Sequence, residues 1–276
     1  MKETDIKQFV RENYAKIAAQ GSSCCCSSGS NCCGSGSARD ISRGIGYSDD
    51  EMDSVPEGAN LGLGCGNPVA LASLKEGETV IDLGSGAGFD SFLAAAKVGT
   101  SGRVIGVDMT PEMLACAREN AENGGYTNVE FRLGEIENLP VADNTADVII
   151  SNCVINLAPD KRRVFREAYR VLKPGGCIMV SDIVLKETLP EAVLNSVAAY
   201  AGCIAGAVEM EEYFDAIESA GFRELRVLDE ASFALESVEQ DPDTVSLFNN
   251  LELTKQEARA VMASIRSIKA SASKPA

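Results

Sequence analysis

The chain has no histidine and no tryptophan among its 276 residues, and aromatic side chains make up only 5% of it. Without imidazole, Cys/His zinc sites and histidine-based acid/base catalysis are both excluded. Basic residues are scarce as well: 25 Lys and Arg stand against 41 Asp and Glu, a formal net charge of -16. Affinity for nucleic-acid backbones comes from Lys and Arg neutralising phosphates, so no nucleic-acid partner is expected. No apolar run reaches the roughly 18 residues of a membrane-spanning helix. The longest, around Val148 to Ile150 and Ala198 to Ala207, are interrupted by polar residues, and Met1 to Arg11 lacks the apolar core of a secretory leader. The expectation is a cytoplasmic protein with no membrane partner.

Cysteine is what the chain has in excess. There are ten, at positions 24, 25, 26, 32, 33, 65, 116, 153, 177 and 203. Disulfides are seldom structural in the cytosol, and no paired CxxC knuckles support an all-cysteine zinc site, so the remaining chemistry is that of thiolates. Five of the ten lie in Gly21 to Ser37, a stretch of almost nothing but Ser, Gly and Cys that has too few core-forming residues to fold alone.

Upstream of that stretch, Ile6, Phe9, Val10, Tyr14 and Ile17 form a near-helical stripe and predict an amphipathic helix over Ile6 to Ala19. Beyond Gly58, short apolar runs alternate with amphipathic stretches, the pattern of a doubly wound α/β sheet. Strands are expected at Val80 to Leu83, Arg103 to Val107, Val129 to Leu133, Ala146 to Ser151 and Cys177 to Ser181. Helices are expected at Phe89 to Val98, Pro111 to Asn123 and Lys161 to Leu172, with a turn at Lys173 to Gly176. Leu189 to Ala220 reads as helical, Glu224 to Leu228 as strand, and Glu257 to Ile268 as a helix giving way to a last strand at Ser264 to Lys269. The tail after Ala270 reads as frayed.

Val80 to Asp90 places an apolar strand, a tight glycine loop and a helix start in succession, as is needed to lay backbone against a nucleotide-like ligand. Asp108, at the end of the second strand, is positioned to accept hydrogen bonds from ribose hydroxyls. The loop reads G-S-G-A-G with an acidic Asp82 before it, unlike the G-x-G-x-x-G of a pyrophosphate turn, which favours S-adenosylmethionine over NAD. The run resembles the signature of class I methyltransferases. Further matches are Gly134 to Pro140, which in that family borders the adenine, and the turn Leu172 to Gly176. The cofactor-binding candidates are Asp82, Gly84, Ser85, Gly86, Gly88, Asp108, Met109, Glu135, Ile136 and Asn152.

Ligands bind at the carboxyl ends of the strands in such sheets, so Cys153, just past the fourth strand, shares an edge with the glycine loop. Cys65 lies in the glycine-flanked loop Leu63 to Pro68, and Cys203 on the segment after the fifth strand. Three converging thiolates with no histidine or obvious carboxylate suit a soft, trigonal centre, and trivalent arsenic fits that better than zinc. Cys116 and Cys177 read as small packed hydrophobes. Tyr47 with Asn60 to Pro68, Gly106 to Met113, Ser151 to Leu157 and Ala201 to Cys203 closely resemble arsenite S-adenosylmethionine methyltransferases. The resemblance covers about Gly44 to Phe222.

It implies a Rossmann-like methyltransferase sheet over 59-185, preceded by a helical, Cys-rich segment at 1-58. A substrate-covering C-terminal lobe would follow at 186-270, then a disordered tail at 271-276. It further implies As(III) held by Cys65, Cys153 and Cys203, arsenite and methylarsenite as substrates, and a thiol reductant such as thioredoxin or glutathione, in the service of arsenic detoxification. A fourth, upstream thiol is implied, for which Cys32 and Cys33 are the candidates, with Cys24 to Cys26 behind them. Two other readings stay open: a carbon- or oxygen-methyltransferase of the quinone or sterol type, and a metalloid-binding protein without turnover.

Overall fold

The computed structural model describes residues 3–21, 38–194, 196, 200, 203–232, 251 and 253–276. Its elements in chain order are helices α1 (Glu3–Gly21), α2 (Ala38–Gly44), α3 (Asp49–Asp53) and α4 (Pro68–Leu71), then strand β1 (Thr79–Leu83), α5 (Phe89–Val98), β2 (Arg103–Asp108), α6 (Pro111–Asn123), β3 (Val129–Leu133) and β4 (Ala146–Asn152). A 3-10 turn (Ile155–Leu157) follows, then α7 (Lys161–Val171), β5 (Leu172–Leu185), α8 (Glu191–Leu194), α9 (Met210–Ser219), β6 (Arg223–Ser232), α10 (Lys255–Ser264) and β7 (Ile265–Ser273). No described helix is long and apolar enough to cross a membrane.

Among the described residues the strands form one sheet in the order β3-β2-β1-β4-β5-β7-β6. The first five are parallel, and β7 runs antiparallel between β5 and β6. The central strands are apolar on both faces: Val80, Ile81, Leu83, Ile149 and Ile150 are wholly buried, as a parallel sheet covered on both sides by helices requires. The chain winds from β1 through β2 to β3 on one side, then crosses to β4 on the other side of β1. The crevice between the carboxyl ends of β1 and β4 is therefore the switch point at which ligands bind in open α/β sheets. Asp82 pairs with Gly106 and with Ile150, and Asn152 with Ser181, so the glycine loop and Cys153 open on the same edge.

Local signals start several helices. Ser48 and Glu51 close a capping box on α3, Thr254 and Glu257 another on α10, and Pro111 occupies the first turn of α6. The expected α1, α5, α6, α7 and β1 to β4 are found within a few residues of their expected limits.

Four expectations change. The turn at Lys173 to Gly176 is absorbed into an irregular start of β5, where the ladder to β4 shifts register and Gly175 takes φ 81°. Leu189 to Ala220 is not one helix: α8 and α9 are separated, and Cys203 to Gly206 turn sharply enough that a Cβ on Gly206 would sit 2.1 Å from the Asn156 carbonyl. The tail does not fray after Ala270. β7 continues to Ser273 because Ile268, Ala270 and Ala272 alternate inward and are buried, and its backbone pairs with both β5 and β6. Lys274 then donates to Asn144 Oδ1 and to the carbonyls of Tyr169 and Leu172. Finally, β6 and β7 complete the same sheet, so the region after residue 186 is not a lobe apart from it.

Candidate active site

The loop from Gly84 to Gly88 turns on three left-handed glycines, with φ of 68°, 52° and 96° at Gly84, Gly86 and Gly88. Two of them are also constrained by packing: a Cβ would lie 2.4 Å from Val154 at Gly84 and 2.6 Å from Phe92 at Gly88. Nothing lies within 4 Å of such an atom at Gly86, where the loop faces the cleft. Gly88 itself ends the loop as the cap of α5 and does not line the cleft.

Asp108 accepts from the Gly86 amide at 3.0 Å and from the Thr110 amide at 2.8 Å, which ties the loop to the end of β2. Burial raises its carboxyl above the ordinary range, opposed by those amides. Asp82 is buried beneath the loop and accepts from Ser91 Oγ at 2.6 Å; burial, then the neighbouring Asp90, push it well above the usual carboxylate range. Ser85 Oγ is buried with no protein partner, an unsatisfied polar group in the cleft wall. Met109 and Ile136 line the same cleft.

Glu135 is placed otherwise than expected. Its carboxylate lies 2.9 Å from Lys7 and 3.8 Å from Arg11 of α1, and it is not part of the cleft lining. Glu137, whose side chain is only 4% exposed, lines the cleft instead and pairs with Lys7 at 3.0 Å.

Asn152, expected at the cofactor, lines the cleft and is also the joint between the glycine region and the thiols. Its Oδ1 accepts from the Cys65 amide at 3.0 Å, and its Nδ2 donates to the Gly66 carbonyl, Tyr47 Oη and Asp90 Oδ2 at 2.8 to 3.0 Å. Tyr47 donates to the other Asp90 oxygen at 2.5 Å. The loop needs its glycines for this closeness, since a Cβ would fall 2.6 Å from Asn152 Nδ2 at Gly64 and 2.0 Å from Ser181 Oγ at Gly66.

Burial raises the Asp90 carboxyl from 3.8 to about 6 despite its two donors. The folded state therefore binds more protons than the unfolded chain between about pH 4 and 6, and stability falls as pH rises through that window. The gap corresponds to roughly 3 kcal/mol. Asp90→Asn is expected to remove about 2 kcal/mol of the difference between urea stabilities at pH 4.5 and 7.5, the part of that gap which lies above pH 4.5. Parallel pH profiles for the two proteins would refute the assignment.

Cys65, Cys153 and Cys203 are brought together and buried in one cluster. The sulfurs of Cys65 and Cys153 and a carboxylate oxygen of Asp182 all lie within 4.8 Å of one another. The Cys203 thiol donates to the Cys153 carbonyl at 3.0 Å, and the Cys65 thiol to the Ser181 carbonyl at 3.3 Å. Hydrogen bonding with the Cys203 and Cys65 thiols, then burial, holds Cys153 well above the ordinary thiol range, and burial raises Cys65. Cys153 and Cys203 both take left-handed backbone, with φ 57° and 62°. Such strain in residues other than glycine gathers at functional sites, where the surroundings hold it in place. Cys116 and Cys177 are half-buried elsewhere, and Cys24, Cys25, Cys26, Cys32 and Cys33 lie outside the described residues.

Two neighbours of the thiols escaped the sequence reading. Asp182, wholly buried, accepts from Asn156 Nδ2 at 2.8 Å, the Ile183 amide at 2.9 Å and Tyr213 Oη at 3.0 Å, and burial raises its carboxyl to about 6. The available signal was an acid inside an apolar strand, one residue past the partner of Asn152. Tyr14 of α1 is the other, and it lines the cleft from a helix distant in sequence.

Comparison with known proteins places this geometry. The family described as methyltransferase domain matches residues 74–231. The chain is 49% identical over 229 residues to an arsenite methyltransferase of Halobacterium salinarum, covering 81% of this chain and 59% of that protein. It is 37% identical over 168 residues to arsenite methyltransferase of Homo sapiens, covering 58% and 44%. The chain thus spans about half the length of these curated relatives. Among solved structures, an arsenic (III) S-adenosylmethionine methyltransferase from Chlamydomonas reinhardtii superposes with a TM-score of 0.62 at 31% identity, covering 86% of this chain and 73% of that one.

Proposed function

The chain belongs to the methyltransferase domain family, and from that premise we propose that it transfers methyl groups from S-adenosylmethionine to trivalent arsenic. The observation that carries the reading is the packing of three buried thiols, from three separate segments, into one cluster, with Cys153 lining the same cleft as the glycine turn.

The cleft suits the donor. Gly86 leaves open room, Ser85 Oγ lacks a partner, and the Asp108 carboxylate retains lone pairs for ribose hydroxyls. Asp82, Asp108 and the Ser85 hydroxyl would hold S-adenosylmethionine, with Met109 and Ile136 against the adenosine. Bound there, it supplies an electrophilic methyl on a cationic sulfur.

Arsenite would be held as substrate by Cys65, Cys153 and Cys203. As each sulfur–arsenic bond forms, the thiol proton leaves with an arsenic hydroxyl as water, so the raised pKa values of Cys65 and Cys153 are no obstacle. The arsenic lone pair is then the nucleophile. It needs no general base, consistent with a chain that has no histidine. What the protein contributes is position and the exclusion of water by the surrounding apolar cluster. Taking up a methyl cation carries the arsenic formally from trivalent to pentavalent, and two of the cysteine sulfurs, leaving together as a disulfide, would return those two electrons and release methylarsenite as a further substrate. A thiol reductant, thioredoxin or glutathione, would then reduce that disulfide. Such chemistry suits the reducing cytoplasm.

The test is arsenic speciation after purified protein is incubated with arsenite, thiol and S-adenosylmethionine. Methylated arsenic is expected; its absence, with turnover on an organic acceptor, would favour a carbon- or oxygen-methyltransferase. Asp108→Ala removes the ribose acceptor and is expected to weaken S-adenosylmethionine binding by roughly 10- to 100-fold, the size of hydrogen bonds to a charged group. Calorimetric titration with an unchanged affinity would refute that role.

A further inference from the structure

Lys7, Val10 and Tyr14, spaced three and four residues apart on α1, form one wall of the cleft. The helix is pinned there by Lys7, which pairs with Glu135 and with the buried Glu137. Val10 is buried, and Ile6 and Tyr14 pack against the same apolar cluster that contains Cys65, Cys153 and Cys203. Tyr14 consequently stands between the two halves of the site, near Cys203 and Cys153 on one side and Asp108 on the other. Burial, and then those neighbours, raise its phenol well above the ordinary range, so it remains a neutral hydroxyl.

A methyl group passed from the Asp108 side to a thiol-held arsenic comes to rest in the space this ring bounds. Resting on the arsenic reading above, we infer that Tyr14 is the specificity-determining wall of the thiol site, limiting the size of the organic substituent that bound arsenic can carry. Arsenite and small methylated arsenicals fit beneath the ring; a bulky substituent meets it. Phenylalanine preserves this wall, whereas leucine or alanine opens it.

The test is calorimetric titration of the full chain with arsenite and with phenylarsine oxide, under a phosphine reductant that does not compete for arsenic. The Cys153→Ser protein serves as the blank for thiols elsewhere in the chain. The ratio of phenylarsine oxide affinity to arsenite affinity is expected to rise about 10-fold or more in Tyr14→Ala and Tyr14→Leu, the scale on which a pocket discriminates by size. In Tyr14→Phe it is expected to stay within about 3-fold of wild type.

Far-UV circular dichroism checks folding, and the leucine variant decides the matter if the alanine variant does not fold. A flat ratio in Tyr14→Leu, or an equal rise in Tyr14→Phe, would overturn the inference. Wild-type protein that binds arsenite but yields no methylated product would sink the methylation reading while the ratios still judge Tyr14. Product formation with flat ratios would sink the wall alone, and no arsenite binding at all would sink both.

Discussion

Cys153→Ser is expected to lower arsenite methylation by about 100-fold or more, because removing a ligand must cost more than the 10- to 100-fold typical of disturbing a ligand's outer partners. Of the three thiols Cys153 is the central one: it hydrogen-bonds with both Cys65 and Cys203, and its carbonyl accepts from the Cys203 thiol. Serine preserves the volume and the strained backbone while replacing a soft ligand by a hard one that holds arsenic poorly. S-adenosylmethionine affinity should stay within about 3-fold of wild type, since the loop from Gly84 to Gly88 and Asp108 are untouched. Cys177→Ser, four residues before Ser181 on β5 and outside the thiol cluster, should leave the rate unchanged. A wild-type rate in Cys153→Ser would remove the chemical basis for the arsenic reading.

Much of this site was legible because its parts are local. The strand, glycine loop and helix from Val80 to Asp90 are contiguous, and Asp108 follows at the end of the next strand, so spacing alone brings them to one edge. Cys153 was legible from its place just past the carboxyl end of a strand, and the three thiols as a set from the glycine-flanked loops around them and the resemblance to arsenite methyltransferases. What could not be read were choices between equivalent-looking neighbours. Glu135 and Glu137 lie two residues apart and both precede Leu139, and Lys7, from a helix over 120 residues away in sequence, pairs with both; Arg11 of that helix reaches Glu135 as well, and Glu137 is the one that lines the cleft. Tyr14 reads as one member of an amphipathic stripe, and nothing local says that the stripe covers thiols. The tail was misread because Ala, Ser and Lys resemble a frayed end in composition, whereas their alternation is that of a strand buried along one face.

Asn152→Ala is the second large effect expected, and it separates holding the cofactor from holding the thiol loop. The substitution leaves the Cys65 amide and the Gly66 carbonyl without their partner and takes a donor from each of Asp90 and Tyr47. An unsatisfied buried group costs about 1 to 3 kcal/mol, so two such losses amount to roughly 2 to 6 kcal/mol of stability. That is a large share of what a folded domain has to spare. The Cys65 loop, close-packed by Gly64 and Gly66, would lose its tether, and Cys65 would no longer be held beside Cys153. Methylation of arsenite is therefore expected to fall by about 100-fold, comparable to loss of a ligand. Asn152→Asp tests the same joint from the other side: it keeps an acceptor for the Cys65 amide but sets a third carboxylate against Asp90 and Asp82, both already raised by burial. Its stability should be lower than wild type at pH 7.5 and recover toward pH 5 as the clustered carboxyls take up protons. If Asn152 serves only the cofactor, Asn152→Ala will weaken S-adenosylmethionine binding while urea stability and arsenite affinity stay at wild-type values, and the joint is then not structural.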